Sequence, residues 1–387
     1  MSAAGGPNLV EDGLVFYYDT GNVLKSYKGE PTTNYITTMA ANLGGNVSLS
    51  YPYNVYICTA QETNVVDPTA PGGQYSRFTG NTTSSNNQLF TSFVDGSVNA
   101  RNTTVAYSVY LKGSGTCHLT VYSDIAGYII TPTINLTDKW TRYSIVQAVG
   151  NYTTHAWAAV RGILTSTNVY VAAQQIEFNT HVTPFVNGTR SATQGLLDVT
   201  GNSSIDLTNV SFDSNAQMTF DGTDDYIETA DSSLLDLTTN MSFEFVVNVD
   251  NSQGNLYPRL IDKGSAYLIH INQEAPFGVY HNIYTSAGLR QTGTTSSIIE
   301  PNTWNHIVVT YDSQIGKIYI NGELVRERDY GSPLDCSTNS SPVRIGGNGD
   351  TSRPLNGLLP VTKIYNRALT ASEVASNFNG IRSRFGI

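Results

Sequence analysis

The chain has 387 residues, 40% of them hydrophobic and only 13% charged, and it is rich in tyrosine, with 24, and in glycine, with 34. This length admits two or three domains with cores large enough to need no staples, and this composition favours sheets joined by polar turns over helices. Thirty-one acids against twenty-one bases give a net charge of −10 with no Lys/Arg run, which repels phosphate backbones and anionic membranes and excludes nucleic acid as a partner.

Residues 1–13 have neither the charged nor the apolar region of a secretory leader, and no apolar run reaches spanning length. Neither classical secretion nor membrane insertion is expected. The first predicted strand, Leu14–Tyr18, follows an Asp12-Gly13 turn and is too apolar for a surface strand, so burial on both faces is expected. Four further strand-like runs, Thr104–Leu111, Cys117–Tyr122, Trp140–Val146 and Val169–Ile176, are separated by Gly, Asn, Ser or Asp turns, a spacing that predicts a β-sandwich. The polar stretch 81–87 and the Asn-x-Ser/Thr triplets at Asn81, Asn102 and Asn151 read as solvated loops. Cys58, Cys117 and Cys336 are too few and too scattered for a disulfide framework or a zinc site and read as small buried hydrophobes.

In the second half, Met218–Glu228 reads as strand, Asp221-Gly222 turn and strand, and Ser242–Val249 alternates with period two. Leu260–Lys263 and Tyr267–Ile271 predict a hairpin about Gly264. Trp304–Tyr311, Lys317–Ile320 and Glu323–Val325 predict a three-strand meander, with Asn321-Gly322 as the pair that tolerates positive φ at both centres of a type I′ turn. After Val343–Gly347 and Leu355–Tyr365, Thr370 and Glu373 have capping-box spacing, predicting a helix from Ala371 to about Phe378.

The run Trp304 to Asp312, W-N-H-I-V-V-T-Y-D, leading into Ile318-Tyr319-Ile320-Asn321-Gly322, resembles the central meander of laminin G-like jelly rolls in the concanavalin A-like lectin superfamily. Gly13 to Gly29, G-L-V-F-Y-Y-D-T-G-N-V-L-K-S-Y-K-G, resembles the opening of jelly rolls from tailed-phage structural proteins, and the end from Ile364 to Ile387 is similar to their tails. In those proteins a D-x-x-G-N segment follows the opening closely. Here it comes at Asp198-Val199-Thr200-Gly201-Asn202, which implies an insertion, tolerable because closure entropy grows only logarithmically with loop length. The insert, through Lys139–Ile145 and Val169–Val186, resembles a carbohydrate-binding-module-like sandwich. The expected organisation is all-β: residues 1–34 plus 190–387 form a discontinuous jelly roll, and 35–189 an inserted β-sandwich.

Glycosidases share this fold, but no E-x-D-x-E strand is present and Glu244 stands alone between Phe243 and Phe245, so no catalytic residue and no hydrolytic activity are expected. The resemblance implies calcium ligands near the F-D-G-x-x-D-Y turn, making Asp221, Asp224 and Asp225 candidates, with a polar turn as the alternative. Pro360 falls where the family's late-strand acid would complete the set. No cofactor is expected beyond such a Ca2+ ion. His306 reads as a packed, hydrogen-bonded residue and Gly346–Asp350 as a loop without the features of a phosphate site. Tyr280, His281, Tyr284 and Arg290 concentrate ring faces and donors suited to a sugar, with sheet surface or subunit interface as the alternative.

The resemblance implies a non-enzymatic virion structural protein of a tailed phage, a capsid decoration protein, tail fibre or adhesin displayed on the virion surface. Other virion proteins, a homo-oligomer such as a trimer, and host-surface glycans are the expected partners. A free carbohydrate-binding lectin or a glycoside hydrolase-related protein is the alternative.

Overall fold

The computed structural model describes residues 9–36, 53–56, 58–81, 88–92, 100–151, 156–254, 257–294 and 298–387. Most of the polar stretch 81–87 lies outside them. The chain divides into two compact units, one of Met1–Glu30, Ser191–Asp213 and Gln217–Ile387, the other of Pro31–Arg190 with Ser214–Ala216.

The first unit is a sandwich of two antiparallel sheets. One runs in the order Ser211–Phe212, Met218–Asp221, Asn356–Tyr365, Met241–Val249, Trp304–Tyr311, Ile315–Ile320, Glu323–Asp329, and Leu14–Asp19 also pairs with Asn356–Tyr365. The other runs Ile205–Asn209, Tyr226–Thr229, Val343–Ile345, Arg259–Asp262, Tyr267–Ile271, Val279–Thr285, Gly288–Gly293. Phe16, Tyr18, Phe220, Phe243, Phe245, Tyr267 and Ile269 interdigitate between them, as alternating side chains of facing sheets must. The D-V-T-G-N segment has a local job: Asp198 accepts hydrogen bonds from the Tyr17, Thr200, Asn202 and Ser203 amides, fastening its turn to the first strand.

The meander turns at Asn321 (φ 50°) and Gly322 (φ 84°), the left-handed pair that the type I′ hairpin requires. Met241–Val249 departs from the expected alternation, because nearly every residue in it is buried. The reason is the C-terminal helix on the outer face, where Ile381 packs against Val246 and Asn377 bonds Glu244, while Val374 and the preceding Leu369 pack with Val308, Tyr319 and Tyr365. Thr370 and Glu373 form the capping box, but the helix runs on from Ala371 to Phe385, past the expected end near Phe378, and stops at Gly386 in the left-handed region. Among the described residues no helix is long and apolar enough to cross a membrane.

The second unit pairs a six-stranded with a five-stranded sheet around Phe78, Tyr107, Val109, Leu119, Val121, Val169 and Val171. Where its chain enters and leaves, Thr32–Thr33 pairs with Thr189–Arg190. Beside that pair Asn34 donates to the Gln174 and Val186 carbonyls, and buried Glu177 accepts from the Thr32 hydroxyl and the Thr183 amide, so the unit's two ends are tied together by satisfied polar groups. All three cysteines are free, with Cys117 and Cys336 buried and Cys58 half-buried.

Candidate functional site

Alternation along Val279–Thr285 decides the fate of the four sugar-site candidates. Val279 and Ile283 point into the sandwich core, and so does His281, whose ring meets Phe243 edge-on at 5.7 Å. Burial holds His281 neutral, with its pKa lowered to about 3, and neither ring nitrogen has a hydrogen-bond partner among the described residues. Arg290 pairs with Ile283 and is also drawn inward, donating to the Tyr311 hydroxyl and the Ser313 and Ser332 carbonyls. Tyr280 and Tyr284 remain on the opposite face with Asn282 between them. The structure therefore keeps two of the four on one face and commits the other two to the interior.

Tyr280 instead belongs to an aromatic shelf. Its ring lies nearly parallel to that of His270, which is directly opposite on the neighbouring strand, at 4.9 Å and 9°. Tyr257 meets His270 edge-on at 5.2 Å and is 45% exposed, and the Arg353 guanidinium stands 5.6 Å from the Tyr257 ring. Gly293 makes the packing possible, since a Cβ there would collide with the Tyr280 ring. Tyr257 holds φ at 61°, a conformation that bulky side chains rarely adopt, and Arg259 braces it by donating to its carbonyl at 2.8 Å and to Asp262 at 2.8 Å.

Burial, joined by the charges of Arg259 and Arg353, lowers the His270 pKa to about 4, so the ring is neutral at pH 7. Nδ1 faces the Ile271 carbonyl at 3.2 Å; a carbonyl only accepts, so Nδ1 carries the proton and Nε2 is an acceptor. His270 itself is buried at 5% exposure, so the surface the shelf offers is the exposed Tyr257 ring with the half-buried Tyr280 ring, faces of the kind that suit the C–H face of a sugar. The sequence gives no sign of Tyr257 as a member. The pairing of His270 with Tyr280 depends on how the intervening loop sets register.

Asp221, Asp224 and Asp225 do converge, with ligand oxygens within 4.8 Å of one another. The Met218 and Tyr226 strands on either side belong to different sheets, and this turn carries the chain between them. Asp225 is committed to that turn through the Ser211 amide at 2.9 Å and the Asp221 amide at 2.7 Å. Asp221 accepts from Thr223, leaving Asp224 as the carboxylate without a protein partner among the described residues. Asp224, Asp225 and Asp350 line a recess of about 390 Å³. The all-oxygen donors fit a hard cation in kind, while the hydrogen bonding of Asp225 fits the polar turn.

Glu244 sits beneath the C-terminal helix in a closed network. Lys363 Nζ donates to Oε1 at 2.7 Å and His306 Nε2 at 3.1 Å, while Asn377 donates to Oε2 at 2.6 Å and the Tyr365 hydroxyl stands 3.3 Å away. Burial alone would raise its pKa, but the Lys363 charge and the His306 bond outweigh it and bring it down to about 2. A carboxylate so enclosed is a structural anchor that no substrate reaches.

Residues 221–375 match the family model of the Concanavalin A-like lectin/glucanases superfamily. The match and the two-sheet sandwich identify residues 221–375 as a laminin G-like, concanavalin A-like domain within an all-β protein. No curated protein matches the sequence. Solved structures similar to the chain include the binding domain of Paraclostridial Mosquitocidal Protein 1, at 18% identity and TM-score 0.39, covering 47% of this chain and 49% of that one. The botulinum neurotoxin serotype G binding domain has 19% identity and TM-score 0.40, with 48% of each chain covered. A structure of botulinum neurotoxin type C, whose cell entry depends upon interaction with two ganglioside molecules, has 16% identity and TM-score 0.38, with 49% of this chain and 50% of that one covered. This chain thus spans about half the length of each.

Proposed function

We propose that the protein is a non-enzymatic structural protein of a tailed-phage virion, displayed on head or tail as a decoration protein, fibre or adhesin, and that it binds host-surface glycans. The observation that carries glycan binding is the Tyr257–His270–Tyr280 shelf with its guanidinium neighbours. The non-enzymatic reading is supported by Glu244, whose carboxylate is enclosed and hydrogen-bonded at both oxygens. The virion setting rests on the resemblance of the opening and closing segments to phage jelly rolls. It brings with it other virion proteins as partners, assembly as a homo-oligomer, and a division into a discontinuous jelly roll with residues 35–189 as a guest module.

The test is a glycan array probed with the full chain and with Tyr280→Ala, followed by a reducing-end assay on the glycans retained. We expect binding that falls at least about tenfold in the variant, as loss of one stacking platform implies, and no release of reducing ends. Failure of the folded wild-type chain to retain any glycan contradicts glycan binding, and release of reducing ends contradicts the non-enzymatic assignment. Stoichiometric presence in purified particles is expected, and its absence from them contradicts the virion role.

A further inference from the structure

One row of side chains crosses the five-stranded sheet of the second unit. Register sets Glu62 opposite Arg77, Arg77 opposite Tyr170 and Tyr170 opposite Lys112. Thr141 opposite Leu111 brings Trp140 alongside Lys112. The strand neighbours Phe78, Leu111, Val169 and Val171 point into the core, so this row points away from it, and each of its members is half-buried. Tyr75 shares the face, its ring 5.4 Å from Tyr170 and 6.3 Å from Trp140.

The row holds donors that lack acceptors. The Lys112 ammonium lies 4.7 Å from the Trp140 ring, 5.1 Å from Tyr170 and 5.7 Å from Tyr75, and it makes no hydrogen bond or ion pair to any described residue. Among the described residues Trp140 Nε1 and Arg77 Nε are buried without partners, while Glu62 also engages the Tyr75 hydroxyl. Arg77 spends one nitrogen on Glu62 at 3.0 Å. The Lys112 ammonium, the Trp140 indole N–H and the Arg77 guanidinium make a cluster of donors beside aromatic rings, a set that suits a ligand rich in acceptors. The row carries two cations and one anion, against the net −10 of the chain.

We propose that this row binds an acidic oligosaccharide, with pyranose faces on Tyr75 and Tyr170 and a sugar carboxylate at Lys112 and the Trp140 indole N–H. Four inter-strand gaps of about 4.8 Å give a stripe of about 19 Å, roughly the length of a tetrasaccharide. Only the class of ligand rests on the glycan reading above, since no shelf residue takes part.

Calorimetric titration of the full chain tests this, with tetragalacturonate and tetrasialic acid as acidic probes, maltotetraose as the neutral one and polyglutamate as a polyanion that is not a sugar. We expect an acidic probe to bind at least about tenfold more tightly than maltotetraose, a preference worth one ion pair, and to bind more weakly as salt is added. Lys112→Met removes the preference and Trp140→Phe, which deletes the N–H while keeping a ring, weakens binding several-fold. Leu24→Ser, at an exposed position outside both ring clusters, leaves the affinity unchanged. The proposal is overturned if neither acidic probe binds, if polyglutamate binds as well, or if Lys112→Met binds like wild type. Binding lost in Tyr280→Ala but kept in Lys112→Met overturns it while leaving the shelf intact.

Discussion

Lys363 and Lys112 both hold their ammonium groups near tyrosine rings, 5.5 Å from Tyr17 and 5.1 Å from Tyr170. Lys363 is buried, donates to Glu244 at 2.7 Å, and belongs to a network in which both carboxylate oxygens are satisfied. Lys112 is half-buried and has rings around it but no acceptor among the described residues. Desolvating a charge is tolerable when a partner compensates, so the first arrangement is finished by folding. The second is not, and the difference separates a structural lysine from one available to a ligand.

The comparison breaks most visibly if the two lysines are removed in turn. Lys363→Met strands the Glu244 carboxylate and is expected to cost about 3–5 kcal/mol in urea denaturation. Acid should weaken the same network. Glu244 has a folded pKa of about 2 against 4.5 unfolded, so its contribution is complete above 4.5 and is lost as pH falls towards 2. Stability of the wild type should drop between pH 5 and pH 3, and a urea midpoint that stays level over that range would contradict the assignment. Thr370→Ala, which opens the capping box that seats the helix over Glu244, is expected to cost about 1 kcal/mol by the same assay. His281→Leu deletes two unpartnered nitrogens from the core and is expected to raise stability by about 1 kcal/mol, whereas His306→Leu, which removes a bond to Glu244, lowers it. Lys112→Met should change stability by less than about 0.5 kcal/mol, as suits a side chain that folding leaves unpaired.

What the sequence made legible was local. Asn321-Gly322, the Thr370/Glu373 spacing and the Trp304–Tyr311 run are each encoded within a few residues, and each appears in the structure where it was expected. Features that depend on distant chain were not legible. Ser242–Val249 looked half-exposed because nothing nearby announces the helix that covers it. That helix was expected to end near Phe378, but Ile381 is buried and the Phe385 ring packs at a tilt on Trp304 at 4.8 Å, which carries it further. The sugar-site candidates were chosen by proximity in sequence, and period-two geometry sent His281 and Arg290 into the core. Tyr257 joined Tyr280, and Lys112 met its three rings, only through register across several strands.

The most direct measurement uses the three tryptophans, Trp140, Trp157 and Trp304, whose indole N–H groups give separate NMR signals. Only Trp140 Nε1 lies in the row beside Lys112, and it is the donor left unpaired there. Titration with the acidic tetrasaccharide that binds should shift the Trp140 signal and leave those of Trp157 and Trp304 in place. A Trp140 signal that stays fixed at saturating ligand, or one that moves no more than the other two, would contradict the account.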